Sequence, residues 1–170
     1  AYFGLKPNKL VTVWLALTES TTANGCVRVI PKTHHGKAFS HVETYDKKNL
    51  LARGQTIETI DDTGAVDLVL KPGQFSCHHE RIVHGSAANK TDAMRIGVGV
   101  FYFPTQIRST IGRRSASLVR GVDNYGHWDS DPIPKEDCDA EVYAHIVAAG
   151  ERYVDSKFVQ EATRDNMRSK

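Results

Sequence analysis

The sequence predicts a mainly β domain, a sandwich or barrel of short strands, finished by a helical C-terminal tail. Three observations carry that expectation. Short runs with alternating apolar and polar residues recur between Leu10 and Phe103, glycine, proline and asparagine punctuate them, and helical spacing appears only after Pro134. Strands that follow one another without helices between them argue against βαβ units.

The first run, "LVTVWLALT" at residues 10–18, places Val11, Val13, Leu15 and Leu17 on one face and Thr12, Trp14, Ala16 and Thr18 on the other. Asn24-Gly25 is a turn signal, and residues 26–30 form a second short strand stopped by Pro31. Two strands joined across such a turn predict a hairpin. Residues 32–63 are polar, carry three histidines and show little periodicity. A connection of that length inside a compact domain is usually functional or mobile. Strand texture resumes with Val66, Leu68 and Leu70, turns at Pro72-Gly73, and continues over residues 74–78, "RIVHGS" and "RIGVGVFYF". Beyond Ile133-Pro134, residues Val142, Tyr143, Ile146, Val147, Ala149 and Val154 fall at helical spacing with acids in the first turn. Gly150 weakens that helix and is a place where it could divide in two. The expectation is one partial domain over residues 1–170, in which residues 134–170 are the helical tail.

With 170 residues the chain can bury a core of its own. Its 22 Lys and Arg against 20 Asp and Glu leave a net +2 without a basic cluster, which gives no case for nucleic acid or an anionic membrane as partner. No apolar run approaches the roughly 18 residues needed to span a bilayer, and no secretory leader opens the sequence. Cys26, Cys77 and Cys138 are isolated and odd in number, which argues against a disulfide framework or a thiolate zinc site and suits a reduced cytoplasm.

Chemistry concentrates in "FSCHHERIVHGSAANKTDAMRIGVGVFYF", residues 75–103. A helical zinc-protease motif is excluded, because His79-Glu80 and His84 are spaced one residue too far to face one metal from a helix. As strands, the same letters put His84 and Ser86 on one side of a sheet. In the next strand Arg95, Gly97, Gly99 and Phe101 share a face, and Ile96, Val98, Val100 and Tyr102 share the other, apolar one. Interior strand glycines often mark a place where something approaches the backbone, and an arginine beside such a gap is a fork for a carboxylate. One reading is a pocket floored by Gly97 and Gly99, in which Arg95 holds a small anion near His84. The other is a solvent-facing arginine, two loop-like glycines and a core histidine.

The segments "VTVWLALTESTTANGCVRVIPKTH", "LKPGQFSCHHERIVHGSAANKTDAMRIGVGVFYFPT" and "VRGVDNYGHW" resemble the phytanoyl-CoA dioxygenase family over roughly residues 2–128. That resemblance implies a double-stranded β-helix, a cupin-like jelly roll, and an oxygenase using iron(II) with 2-oxoglutarate as cosubstrate on a small organic substrate. It implies that His84 is the distal iron ligand and that Arg95, eleven residues on, grips the far carboxylate of 2-oxoglutarate. Ser86 and Trp14 match residues lining the same site, and Trp14 already stood on the less apolar face of its strand.

Such iron sites use two histidines and one carboxylate, and the family supplies the other two ligands as a His-x-Asp pair on the strand before "AYFGL". The chain begins at Ala1 without an initiator methionine. The expectation is a C-terminal portion lacking that pair and the first strands, with negligible iron affinity by itself and with unpaired sheet edges that invite self-association. "HWD" at His127–Asp129 has ligand letters but lies beyond the barrel strands, and His34, His35 and His41 are expected in solvent or near the substrate mouth. His78 and His79 are expected to pack or hydrogen-bond around the site. The alternative to an oxygenase is an inactive jelly-roll module that binds a small molecule without iron.

Overall fold

A computed structural model describes residues 4–36, 39–44 and 55–154. Twelve strands are described: β1 (Leu5–Lys6), β2 (Val11–Ala16), β3 (Val27–Ile30), β4 (Val42–Glu43), β5 (Gln55–Thr56), β6 (Val66–Asp67), β7 (Phe75–His79), β8 (Val83–Ser86), β9 (Gly97–Tyr102), β10 (Arg108–Ser109), β11 (Ser115–Ala116) and β12 (Asp129–Ser130). A short 3-10 turn covers Thr33–His35 and one helix, α1, covers Ala140–Val154. The chain divides into two compact units, Leu10–Tyr102 and a second formed by the described residues on either side of it.

Within Leu10–Tyr102 two three-stranded antiparallel sheets form, ordered β7-β2-β9 and β6-β3-β8. Along the chain β2 lies in the first sheet, β3 and β6 in the second, and β7, β8 and β9 then switch sheet at each step; the fold is mainly β, of the jelly-roll class. The hairpin expected at Asn24-Gly25 does not form, because β2 and β3 lie in different sheets. A strand has two edges, and those of β2 are filled by β7 and β9 while those of β3 are filled by β6 and β8, so neither has groups left for the other. The turn chemistry is nevertheless real: Gly25 has φ +77°, and the Asn24 side chain accepts from Thr21 N at 2.8 Å and donates to Glu19 O at 2.9 Å. It makes a corner between sheets.

Register assigns the faces, since directly paired residues point the same way. Trp14 pairs Ser76 and Gly99, Thr12 pairs His78 and Phe101, and Ala16 pairs Gly97. This is the face that meets the second sheet, where His84 and Ser86 share a side with Val29 and Val27. The opposite face, with Val11, Phe75, Val98, Val100 and Tyr102, is exposed within the described residues. The sheet therefore turns its more polar face inward. Among the described residues of this unit, Leu10, Ala16, Cys26 and Val29 are the buried apolar ones. Inside the long connection, β4 and β5 pair antiparallel, whereas residues 37–38 and 45–54 lie outside the described set.

The second unit contains strands that sequence periodicity did not suggest: β1 pairs β10 antiparallel and β11 pairs β12 in parallel. Two-residue strands carry no readable alternation. Ile107 is fully buried there, and its carbonyl accepts from the Trp128 indole N–H at 2.6 Å. Asp139 caps α1, its carboxylate accepting from the backbone N–H of Glu141 at 2.8 Å and of Lys135 at 2.9 Å. These bonds hold the Asp139 carboxyl below its ordinary range. The helix runs on through Gly150 as one element, the undivided of the two forms the sequence allowed; residues 155–170 of the expected tail lie outside the described set. No helix among the described residues is long and apolar enough to cross a membrane, and Cys26, Cys77 and Cys138 are free thiols.

Candidate functional site

His84 is the second of the four residues of β8, exposed, with its ring toward His78 of the other sheet. Its Nδ1 lies 2.8 Å from the carbonyl oxygen of Ile82. A carbonyl only accepts, so Nδ1 carries the proton and Nε2 of the neutral ring keeps its lone pair. Metal-ligating histidines are held in this way, with one ring nitrogen donating to a carbonyl and the other left to ligate.

The opposing wall is built by the parity of β7, β2 and β9. The His78 ring stands 5.3 Å from the His84 ring, one from each sheet. His78 is half-buried, and burial first and the neighbouring His84 second push its pKa below the usual imidazole range. Its Nδ1 and the Ser76 hydroxyl, two residues earlier on the same face, are buried without a partner among the described residues. Beside Ser76 lies Trp14, and the Arg95 guanidinium sits 5.3 Å from the Trp14 ring centroid in a cation–π contact.

Gly97 has a different role from the one its spacing suggested. A Cβ there would stand 2.2 Å from the Trp14 ring, so the space left by the missing side chain holds the indole, and the floor is Trp14 with Arg95 upon it. At Gly99 a Cβ would meet only the edge of the Phe101 ring, at 3.4 Å. Of the four residues singled out from the sequence, Arg95 sits over the Trp14 ring, while His84 and Ser86 lie on one side of β8 in the other sheet. Sequence reading left Ser76 unnoticed and expected His78 to pack or hydrogen-bond around the site. The signal for both was their parity with Trp14, which becomes visible only once β2 and β7 are known to pair.

The other candidates have local partners of their own. Around His34, the His35 ring is at 3.9 Å and the His79 ring at 5.5 Å, and the His79 Nδ1 accepts from the Arg81 backbone N–H at 3.1 Å. In the second unit Arg113 Nε donates to Asp129 Oδ1 at 2.8 Å, which commits that carboxylate to an ion pair and not to His127. Ser115, His145 and Asp131 also gather there, but His145 Nε2 faces both Ser115 Oγ at 2.8 Å and Asp131 Oδ1 at 3.5 Å. A nucleophile relay needs the acid on the other ring nitrogen, so this group is a clasp between α1 and the strand region.

Among the described residues no three His, Cys, Asp or Glu side chains gather where one metal ion could bind them all. For iron and an oxoacid, the donor set present fits one imidazole ligand at His84, one carboxylate fork at Arg95 and two unpartnered polar atoms on the wall between them.

Comparison with known proteins assigns the family. The family pattern described as Phytanoyl-CoA dioxygenase (PhyH) matches residues 1–97. The chain belongs to the phytanoyl-CoA dioxygenase family. Among the relatives of this family, "Phytanoyl-CoA dioxygenase, peroxisomal" of Rattus norvegicus is 29% identical over 125 residues, 71% of this chain and 37% of that protein. The "Probable alpha-ketoglutarate-dependent hypophosphite dioxygenase" of Stutzerimonas stutzeri is 26% identical over 132 residues, 76% of this chain and 43% of that protein. Of solved structures, the apo form of the non-heme monooxygenase ThoJ superposes with a TM-score of 0.77 at 32% identity, over 96% of this chain and 59% of that one. The chain therefore spans less than two thirds of the length of each of these relatives.

Proposed function

We propose that this chain carries the cosubstrate half of an iron(II)- and 2-oxoglutarate-dependent oxygenase site, within a phytanoyl-CoA dioxygenase-type protein that hydroxylates a small organic substrate. The observation that carries the reading is the His84 ring of β8, anchored at Nδ1 by the Ile82 carbonyl and 5.3 Å from the ring of His78, whose sheet also holds Trp14 with Arg95 over it. His84 would ligate iron through Nε2. Arg95, held by the indole, would fork the far carboxylate of 2-oxoglutarate, and Ser86 and Trp14 would line the same cosubstrate. Gly97 contributes by admitting the indole. Bound iron and dioxygen would supply the oxidation, in which substrate, O2 and 2-oxoglutarate give hydroxylated substrate, succinate and carbon dioxide.

The residues' own tasks are to fix the tautomer of one ligand, to orient an anion by two parallel N–H bonds, and to line its path. Anaerobic titration of the intact protein with iron(II) and 2-oxoglutarate should raise a weak visible charge-transfer band, and oxygen should then release succinate. An intact protein that binds both but releases no succinate with any organic substrate would refute the reading. A second reading, an iron-free module binding small anions, rests on the Arg95 guanidinium held over the Trp14 ring. It predicts 2-oxoglutarate binding that does not change when iron is added.

A further inference from the structure

We propose that Ser76 and His78, successive inward positions of β7, form a second polar wall that binds the oxoacid cosubstrate between Arg95 and His84. The proposal rests on the oxygenase reading above and adds two binding residues to it. The argument begins with register. Trp14 is level with Ser76, and Thr12 with His78, so the two polar groups are one two-residue step apart, about 7 Å along the strand. The Arg95 guanidinium lies over Trp14 at the Ser76 level, and the His84 ring lies 5.3 Å from His78 at the other. One step of strand is close to the length of an extended five-carbon dicarboxylate. A molecule held at one end by Arg95 and reaching His84 with the other would run along Ser76 and His78.

The state of the polar atoms supports this. The neighbouring histidines are satisfied at Nδ1, His79 by the Arg81 N–H and His84 by the Ile82 carbonyl. His78 Nδ1 and Ser76 Oγ are both buried and unpartnered among the described residues. A buried polar group without a partner is costly, and two on one wall are better explained by a ligand with oxygen acceptors than by packing. A hydroxyl and an imidazole N–H suit the keto and carboxylate oxygens of such a ligand, whereas an apolar acyl chain would leave them unsatisfied.

The test uses the intact protein under anaerobic iron(II), reading 2-oxoglutarate affinity, the charge-transfer band and iron affinity in H78L, H78Q, S76A and R95A. H78L should weaken 2-oxoglutarate about ten-fold or more, and S76A a few-fold, as expected for hydrogen bonds to a charged partner. H78Q, which keeps a donor, should recover part of the loss, and iron affinity should stay the same throughout. Unchanged cosubstrate affinity in H78L and S76A, with R95A impaired, would overturn this proposal and leave the oxygenase reading standing. Unchanged affinity in all three, R95A included, would overturn the reading itself. Loss of iron in H78L would show that His78 acts on the metal and would also overturn the proposal. Should H78L fail to fold, H78Q and S76A decide it: full affinity in both refutes the wall.

Discussion

Replacing Gly97 with alanine puts a methyl group where the indole of Trp14 lies. The new carbon would stand 2.2 Å from one ring carbon, 2.5 Å from a second and 2.9 Å from a third. Ordinary carbon–carbon contact is about 3.5–4.0 Å, so relief needs a shift of more than an ångström. The obstacle is a rigid ring in the centre of the strand, not the far end of a flexible chain. Overpacking of this kind costs about 1–3 kcal/mol. Tilting the indole would also forfeit its contact with Arg95, worth about 0.5–1 kcal/mol or more when desolvated. For a chain of this size each kcal/mol lowers Tm by about 2–4 °C. The assay is denaturant unfolding of G97A and of the same change in a W14L background, with 2-oxoglutarate titration of both. The alanine should be costly beside Trp14 and cheap beside leucine, leaving a coupling energy of about 1–2 kcal/mol. Equal costs in the two backgrounds, or a G97A protein with native midpoint and native cosubstrate affinity, would refute the account of Gly97 as the seat of the indole.

Further outcomes follow from the same geometry. H84A in the intact protein should lose oxygen-dependent succinate release and weaken iron binding, measured by the charge-transfer band. R95A should raise the 2-oxoglutarate requirement by about ten-fold or more while iron affinity holds; an unchanged requirement would remove Arg95 from its role. At the start of α1, D139A should lower helix content and Tm while D139N, still a good cap, should retain most of both. The Asp139 carboxyl is depressed from 3.8, so its stabilisation is present above about pH 4 and is lost as pH falls through its folded value. The gap between native protein and D139A should accordingly close on acidification, and a gap that persists in acid would contradict the cap.

Several features of the site were legible because they depend on period alone. Alternation along a strand is a local property, so the two faces of residues 10–18 and the common side of His84 and Ser86 could be read directly. Helical spacing likewise announced a helix after Pro134, and α1 begins at Ala140. The phytanoyl-CoA dioxygenase resemblance rested on blocks of sequence whose order survives in the chain, and it supplied the jelly-roll class. Pairing is not local. Asn24-Gly25 had the chemistry of a hairpin turn, yet β2 and β3 went to separate sheets because each filled both of its edges elsewhere. The glycines of β9 announced a gap without saying what entered it, since the indole comes from a strand some eighty residues earlier.

By itself, then, the amino-acid order determined which side chains share a face, that a helix follows Pro134 and which residue types can bind an anion or a metal. Tertiary structure alone decided that the more polar face of β2, β7 and β9 turns inward, that Trp14 occupies the space at Gly97, and that His78 meets His84 across two sheets. The physical reason is the range of the interactions. Periodicity and turn preference act over a few neighbouring residues, whereas edge pairing and sheet stacking are chosen by competition among partners far apart in the chain.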